Sequence, residues 1–230
     1  MDRQTAARLM ATTGWLSRQP ESFRTDLLKR SLYRHHHAGK VLYDIGDPPS
    51  GIIGLANGML EARLPNGHIA TVASSGFWIG EDAAFRREPR RTTLIARSPV
   101  RIFYLPLHEL DEMIATAEYC RSFAMLTVEH LDDARQVVAN LMTHDVLARI
   151  SGRLLSLSQA DTGAGLELSI TQSDLASMCG LTRQTVNRAV RRLVQECAIS
   201  SRYGKVIVTN PGKLRQFAED GEWSDHPLAS

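Results

Sequence analysis

Between residues 118 and 143 the chain contains neither proline nor glycine, and this stretch separates two segments of different pattern. Ahead of it, over residues 39–106, short apolar runs alternate with turn residues. The runs are VLYDI, GIIGLA, GMLEARL, HIATVA, TTLIA and VRIFYL; among the turns are Gly46-Asp47-Pro48-Pro49, Pro65-Asn66-Gly67 and Ser74-Ser75-Gly76. Many short strands at close spacing predict a sandwich or roll. Asn66-Gly67 predicts a two-residue type I′ hairpin turn, in which both positions need φ > 0. Behind the strands the period becomes helical. A short helix is expected over 108–116, a long one over 118–143, a break at Asp145, and a further helix over 146–158. Residues 159–165 read as a loop, and the polar segment after Asp220 as a flexible tail.

In the long helix Ala124, Thr127, Leu131, Ala134, Val138 and Leu141 recur at alternating spacings of three and four. That is the seam of a coiled coil, and its small residues would let two such helices approach closely. The alternative is an ordinary helix facing a core. No run approaches about 18 consecutive apolar residues, which argues against a transmembrane helix. MDRQTAARLMATTGWLSRQ lacks the apolar core of a signal peptide, so the expected location is the cytoplasm.

Charge is uneven along the 230 residues. Residues 1–145 hold 17 Lys and Arg against 17 Asp and Glu, whereas residues 146–215 hold 10 against 4. A neutral front and a basic back suit a chain whose C-terminal part meets phosphates, although a solvated basic face would look the same. The three cysteines, Cys120, Cys179 and Cys197, are far apart and form no C-x-x-C pair. Neither a disulfide framework nor a structural zinc site is expected, and Cys179 and Cys197 read as small apolar residues packed between helices.

The most informative stretch is ITQSDLASMCGLTRQTVNRAVRRLVQECAIS. Thr171-x-x-Asp174 starts a short helix in the manner of a capping box, with Leu175 and Ala176 on its inner face. Cys179-Gly180-Leu181 is a tight turn in which Gly180 can leave the helix in the left-handed region. Thr182 caps the next helix, which buries Val186, Ala189, Val190 and Leu193 and exposes Arg183, Gln184, Asn187, Arg188, Arg191 and Arg192. A helix, a glycine turn and a second helix with Arg and Gln in its first turns form a helix-turn-helix. Arg can donate twice to guanine, and Gln can pair with adenine. ISSRYGKVIV then reads as a hairpin wing, with Arg202 and Lys205 suited to phosphate. A helical hairpin with a charged outer face is the competing reading.

The phrase T-Q-S-D-L-A-S-M-C-G-L-T-R-Q-T-V-N-R is similar to the DNA-reading phrase of the cyclic AMP receptor/fumarate-nitrate regulator (CRP/FNR) family. The resemblance runs from about Ser22 to Val208. It implies an α+β chain with an N-terminal cyclic-nucleotide-binding-like β-roll, a long dimerisation helix and a C-terminal winged helix-turn-helix. The corresponding division is 1–115 for the sensor, 116–145 for the dimerisation helix, 146–220 for the DNA-binding domain and 221–230 for the tail. Base reading would fall on Arg183, Gln184 and Arg188, with Thr182 and Asn187 also at the DNA, and Gln184 departs from the family's usual Glu. A carboxylate accepts from cytosine, whereas an amide both donates and accepts, so the preferred half-site is open at that base pair. The resemblance implies double-stranded DNA with an inverted-repeat site, a second copy of the chain and RNA polymerase as partners.

G-F-W-I-G-E-D-A-A-F-R-R-E-P-R-R-T-T resembles the family's phosphate-binding cassette: Gly80-Glu81, nine residues, then Arg91-Thr92-Thr93. Glycine lets backbone N–H groups approach an anion. Arg91 could pair with a cyclic phosphate, Thr adds a hydroxyl donor, and Glu81 could accept from a ribose hydroxyl. Gly39, Gly46-Asp47 and Gly58 resemble the turn glycines of the β-roll. Asp82 places a second acid beside the cassette, and Arg90 is an alternative partner. Where the cyclic AMP receptor has Thr and Ser meeting the purine, this chain has Ala134 and Arg135. Cyclic AMP, cyclic GMP, another ligand or none therefore all stay open. So do a regulator with a vestigial pocket and a nucleotide-binding module acting on a protein partner.

Other members of the family hold iron–sulfur clusters on N-terminal cysteines, and no Cys precedes Cys120 here. His35-His36-His37 alternate faces in an extended segment and read as a polar strand edge rather than a metal site. Cupin-like metal ligands and nucleophile motifs are missing, so no enzyme activity is expected.

Overall fold

The computed structural model describes residues 1–160, 167–202 and 204–220. The chain divides into two compact units, one built on Met1–Asp132 and the other on Asp133–Gln159 together with the described residues from 167 onward. The polar loop of 159–165 lies largely, and the tail of 221–230 wholly, outside the described residues.

The first unit opens with three helices, α1 (Arg3–Thr12), α2 (Gly14–Ser17) and α3 (Glu21–Arg30). The strands are β1 (Leu32–His36), β2 (Val41–Tyr43), β3 (Gly51–Asn57), β4 (Leu60–Arg63), β5 (Ile69–Ala73) and β6 (Trp78–Ile79), then β7 (Thr93–Ala96) and β8 (Val100–Pro106) after α4 (Glu81–Arg86). Helix α5 (Leu107–Ile114) and the first part of α6 (Ala117–Met142), which runs on past Asp132, follow. The strands form two four-stranded antiparallel sheets, ordered β1-β8-β3-β6 and β2-β7-β4-β5.

Alternation along β3 and β8 explains the layering. Ile53, Leu55, Val100 and Ile102 face Leu60, Ala62, Leu94 and Ala96 of the other sheet inside the roll. Ile52, Ala56, Phe103 and Leu105 point the opposite way, onto Met10, Trp15, Leu16, Phe23, Leu27 and Phe123 of the helices. Both faces of β3 are thus buried, and a strand covered on both faces carries a continuous apolar run such as GIIGLA. The outer layer is tied by edge-on aromatic contacts: Trp15 to Phe23 at 5.6 Å and to Trp78 at 6.0 Å, and Phe23 to Phe123 at 5.0 Å. Trp15 Nε1 also donates to the Ser122 carbonyl at 3.1 Å.

The second unit holds α7 (Val146–Ala160), β9 (Glu167–Leu168), α8 (Gln172–Cys179), α9 (Arg183–Gln195), β10 (Ile199–Arg202), β11 (Lys205–Val208) and α10 (Pro211–Asp220). Its three strands are antiparallel in the order β10-β11-β9.

Two sequence expectations are corrected. The β4–β5 hairpin is not a two-residue type I′ turn. Gly67 N donates to the Leu64 carbonyl at 2.9 Å, Gly67 has φ 81°, and Asn66 is not among the residues with positive φ. Pro65 holds the second position of a type I turn and Gly67 supplies the left-handed residue after it, a three-residue loop. Cys197 is exposed rather than packed between helices. It stands in the left-handed region, φ 55°, just beyond the cap of α9, where the chain turns out into the wing. The sequence patterns said nothing of residues 1–30; their three helices supply much of the outer core.

The long helix has two faces. Tyr119, Phe123, Leu126 and His130, at spacings of four, three and four, turn inward, with Phe123 and Leu126 buried. Ala124, Thr127, Leu131, Ala134, Val138 and Leu141 are all exposed, with Leu131 at 48%, Val138 at 55% and Leu141 at 43%. Cys179 is buried, and His35 lies on β1, an edge strand, its ring 5.0 Å from that of His37. No helix among the described residues is long and apolar enough to cross a membrane.

Candidate DNA-reading face and ligand site

The reader is assembled by local caps. Thr171 Oγ1 accepts from Asp174 N at 3.1 Å while Asp174 Oδ2 accepts from Thr171 N at 2.7 Å, a complete capping box on α8. Gly180, φ 62°, closes that helix in the left-handed region. Thr182 Oγ1 accepts from Thr185 N at 3.1 Å and starts α9. These caps satisfy N–H groups that the helices leave open and fix where each begins.

Val186, Ala189, Val190 and Leu193 form the buried face of α9. Arg183, Gln184, Arg188, Arg191 and Arg192 are exposed. Arg192 pairs with Glu196 at 2.9 Å, whereas Arg183, Arg188 and Arg191 carry no ion pair among the described residues. Asn187 is half-buried and donates through Nδ2 to Gln172 Oε1 at 2.8 Å. Arg202 and Lys205 stand opposite each other at the tip of the β10–β11 hairpin. Arg202 is exposed; Lys205 reaches Glu167 of β9 in an ion pair.

In the first unit Gly80 caps α4 with φ 105°, and a Cβ there would lie 2.5 Å from Arg90 Nη1. Only glycine accepts that conformation and that approach together. Arg90 is 3% exposed. Its Nη1 donates to the Gly80 carbonyl at 2.9 Å, its Nη2 to the Gly51 carbonyl at 2.6 Å, and its guanidinium lies 4.4 Å from the Tyr43 ring centroid. Burial pushes the Tyr43 phenol up to about 12, against a hydrogen bond from Thr92 and the charge of Arg90. Glu81, also 3% exposed, meets His130 Nδ1 of α6 at 2.5 Å through Oε1. Glu81 Oε2 and Arg90 Nε are buried without a hydrogen-bond partner among the described residues. The His130 ring lies 5.4 Å from that of Phe77.

The structure brings Gly80 and Glu81 to this cluster but not Arg91. Arg91 is 59% exposed and pairs with Glu88 at 2.7 Å; the inward arginine is Arg90. Its backbone is pinned at both ends, N to the Asp47 carbonyl and O to Gly46 N, each at 2.9 Å. The chain bends at Arg91 and Thr92 before β7 begins, and beyond this pinned residue the Arg91 side chain turns outward. Thr92 borders the cluster through Tyr43, while the Thr93 hydroxyl donates to Asp44, whose carboxyl it holds below the usual range. Asp82 is exposed, as are Ala134 and Arg135. Sequence reasoning missed His130 and Tyr43. The signal for His130 was its place on the apolar stripe of Tyr119, Phe123 and Leu126, where an imidazole is the exception.

Two family models match the chain in succession: a cyclic nucleotide-binding domain over residues 33–117 and a Crp-like helix-turn-helix domain over 132–217. The cAMP-activated global transcriptional regulator CRP of Pasteurella multocida is 28% identical over 146 residues, 61% of this chain and 69% of the relative. The transcriptional regulator SdrP of Thermus thermophilus is 28% identical over 166 residues, 70% of this chain and 79% of the relative. The structure of FixK2 from Bradyrhizobium japonicum shares the fold, with a TM-score of 0.72 at 16% identity, covering 85% of this chain and 99% of that one. With a sensor-type β-roll, a long helix and a capped helix-turn-helix in that order, the chain belongs to the CRP/FNR family of DNA-binding transcription regulators.

Proposed function

We propose that the chain acts as a homodimer that reads an inverted-repeat DNA site through α9 and is controlled by a small anionic ligand in the β-roll. The observation that carries the DNA reading is the outer face of α9. Arg183, Gln184 and Arg188 stand exposed there above an inner face that is wholly apolar. Residues 183, 184 and 188 fall within about 140° of one another on a helix of 3.6 residues per turn, so one groove can meet all three. The exposed stripe of α6 supports pairing of two copies, and two copies present two readers to two half-sites. Regulation through RNA polymerase in the cytoplasm completes the proposal; catalysis has no part in it.

Two groups fit an anion that also carries a hydroxyl, as cyclic AMP and cyclic GMP do. Arg90 Nε is an unused donor and Glu81 Oε2 an unused acceptor, both buried. Unused buried polar groups are costly, and a ligand that engages them removes that cost. In this assignment Arg90 replaces Arg91 as the residue that meets the phosphate. A second reading, a vestigial pocket, draws on the bonds already made: Arg90 is held by two carbonyls and Glu81 by His130. Calorimetric titration with each cyclic mononucleotide separates the two readings.

Selection from random DNA tests the reader. An enriched inverted repeat is expected, with half-sites about one helical turn apart. Arg183→Ala and Arg188→Ala should each cost about 1–3 kcal/mol and relax one base pair per half-site. A motif unchanged by both substitutions overturns the assignment.

A further inference from the structure

The hydrogen bond from Asn187 Nδ2 to Gln172 Oε1, 2.8 Å long, joins the recognition helix to the first residue of α8. Both side chains are half-buried, while Arg183, Gln184 and Arg188 beside them are exposed. We propose that Asn187 is not a base reader but one half of a side-chain clamp, and that Gln172 is a positioning residue that sets which residues of α9 face the groove. The proposal rests on the DNA-reading function above.

An asparagine reads adenine by presenting its carbonyl and an N–H together to one base edge. Here the amide is turned toward α8 and its nitrogen already donates there. Reaching a base would mean breaking that bond and leaving the half-buried Gln172 carbonyl without its donor. Side chains four apart on a helix share a stripe, so the clamp marks the stripe of Arg183 and Asn187 as the one bordering α8. The adjacent stripe of Gln184, Arg188 and Arg191 lies opposite the buried face of Val186, Ala189, Val190 and Leu193. The bond also ties α9 to α8 at a point beyond the buried contacts of Val186 and Leu193, which limits rotation of the recognition helix about its own axis.

The two roles for Asn187 predict different selected motifs. As a clamp, Asn187→Ala and Gln172→Ala should each weaken binding to the preferred site about threefold to tenfold, the loss of one intramolecular hydrogen bond. Their effects should not add in the double variant, because either change alone breaks the same bond. Asn187→Ala should relax no single base pair of the motif. Gln172→Ala, which frees the Asn187 amide, should introduce a preference for adenine at a base pair that the wild-type protein ignores. Gln172→Glu retains an acceptor for Asn187 Nδ2, so its motif should match wild type, even where an added negative charge lowers affinity for all sequences alike. Thermal unfolding of each variant establishes that the domain is folded. Arg188→Ala serves as the control: if it leaves the motif unchanged, the DNA-reading assignment itself fails. If Arg188→Ala alters the motif while Asn187→Ala relaxes one base pair and its effect adds to that of Gln172→Ala, the reader stands and the clamp is refuted.

Discussion

Replacing Leu131 and Val138 together by Asp tests whether the outer stripe of α6 holds two copies together. Leu131, Val138 and Leu141 each keep roughly half of their surface exposed in the single chain. Full burial of such a side chain stabilises by about 2 kcal/mol, so covering the remaining half contributes about 1 kcal/mol per residue. Across two protomers these three positions supply about 6 kcal/mol, and the double substitution removes about two thirds of it. It also places four carboxylates at the interface, each opposed to its like neighbour. A loss of about 4 kcal/mol from burial alone raises the dimer Kd by about a thousandfold, which brings a dimer of about nanomolar Kd to half dissociation at about micromolar protein. Sedimentation velocity reads the outcome, and binding to a two-half-site duplex should fall with it. The monomer should remain folded, because neither position lies in a core and the helix-propensity cost of Asp is at most about 0.7 kcal/mol per residue. A folded double variant that sediments as wild type, or two-half-site binding undiminished, refutes the pairing argument.

Tyr43 gives an alkaline signature. Its phenol is protonated in folded and unfolded chains below its ordinary value of 10.0; above it the unfolded chain ionises while the folded one holds its proton up to about 12. Stability should therefore fall between pH 10 and 12 by about 3 kcal/mol, and Tyr43→Phe should remove that part of the slope in chemical unfolding. The two neighbouring arginines should behave oppositely: Arg90→Leu leaves the carbonyls of Gly80 and Gly51 without their donor and should cost about 2–4 kcal/mol. Arg91→Leu loses only an exposed pair with Glu88 and should cost under about 1 kcal/mol, with ligand affinity retained. Thr171→Ala breaks the capping box and should lower the stability of the DNA-binding unit by about 1 kcal/mol; an unchanged midpoint would show that the cap is replaced by solvent.

What the residues alone determined is local chemistry. The caps at Thr171 and Thr182, the left-handed Gly180 and the buried quartet of α9 depend on neighbours within a few positions, and all stand where the sequence puts them. The six runs read as strands all contain strands, because turn residues delimit them locally. Tertiary structure decided the features that depend on distant partners. The helices of residues 1–30 are short and are held by Trp15 and Phe23 against Trp78 and Phe123. Pro65 and Gly67 together overrode the type I′ preference of Asn66-Gly67, since the register of β4 on β5 accommodates a third loop residue. Which of Arg90 and Arg91 turns inward was set by backbone bonds to Gly46 and Asp47, far earlier in the chain. Glu81 found its partner in His130 on the long helix. No spacing between the two could announce that contact, because side chains that meet across a fold are brought together by packing and not by sequence separation.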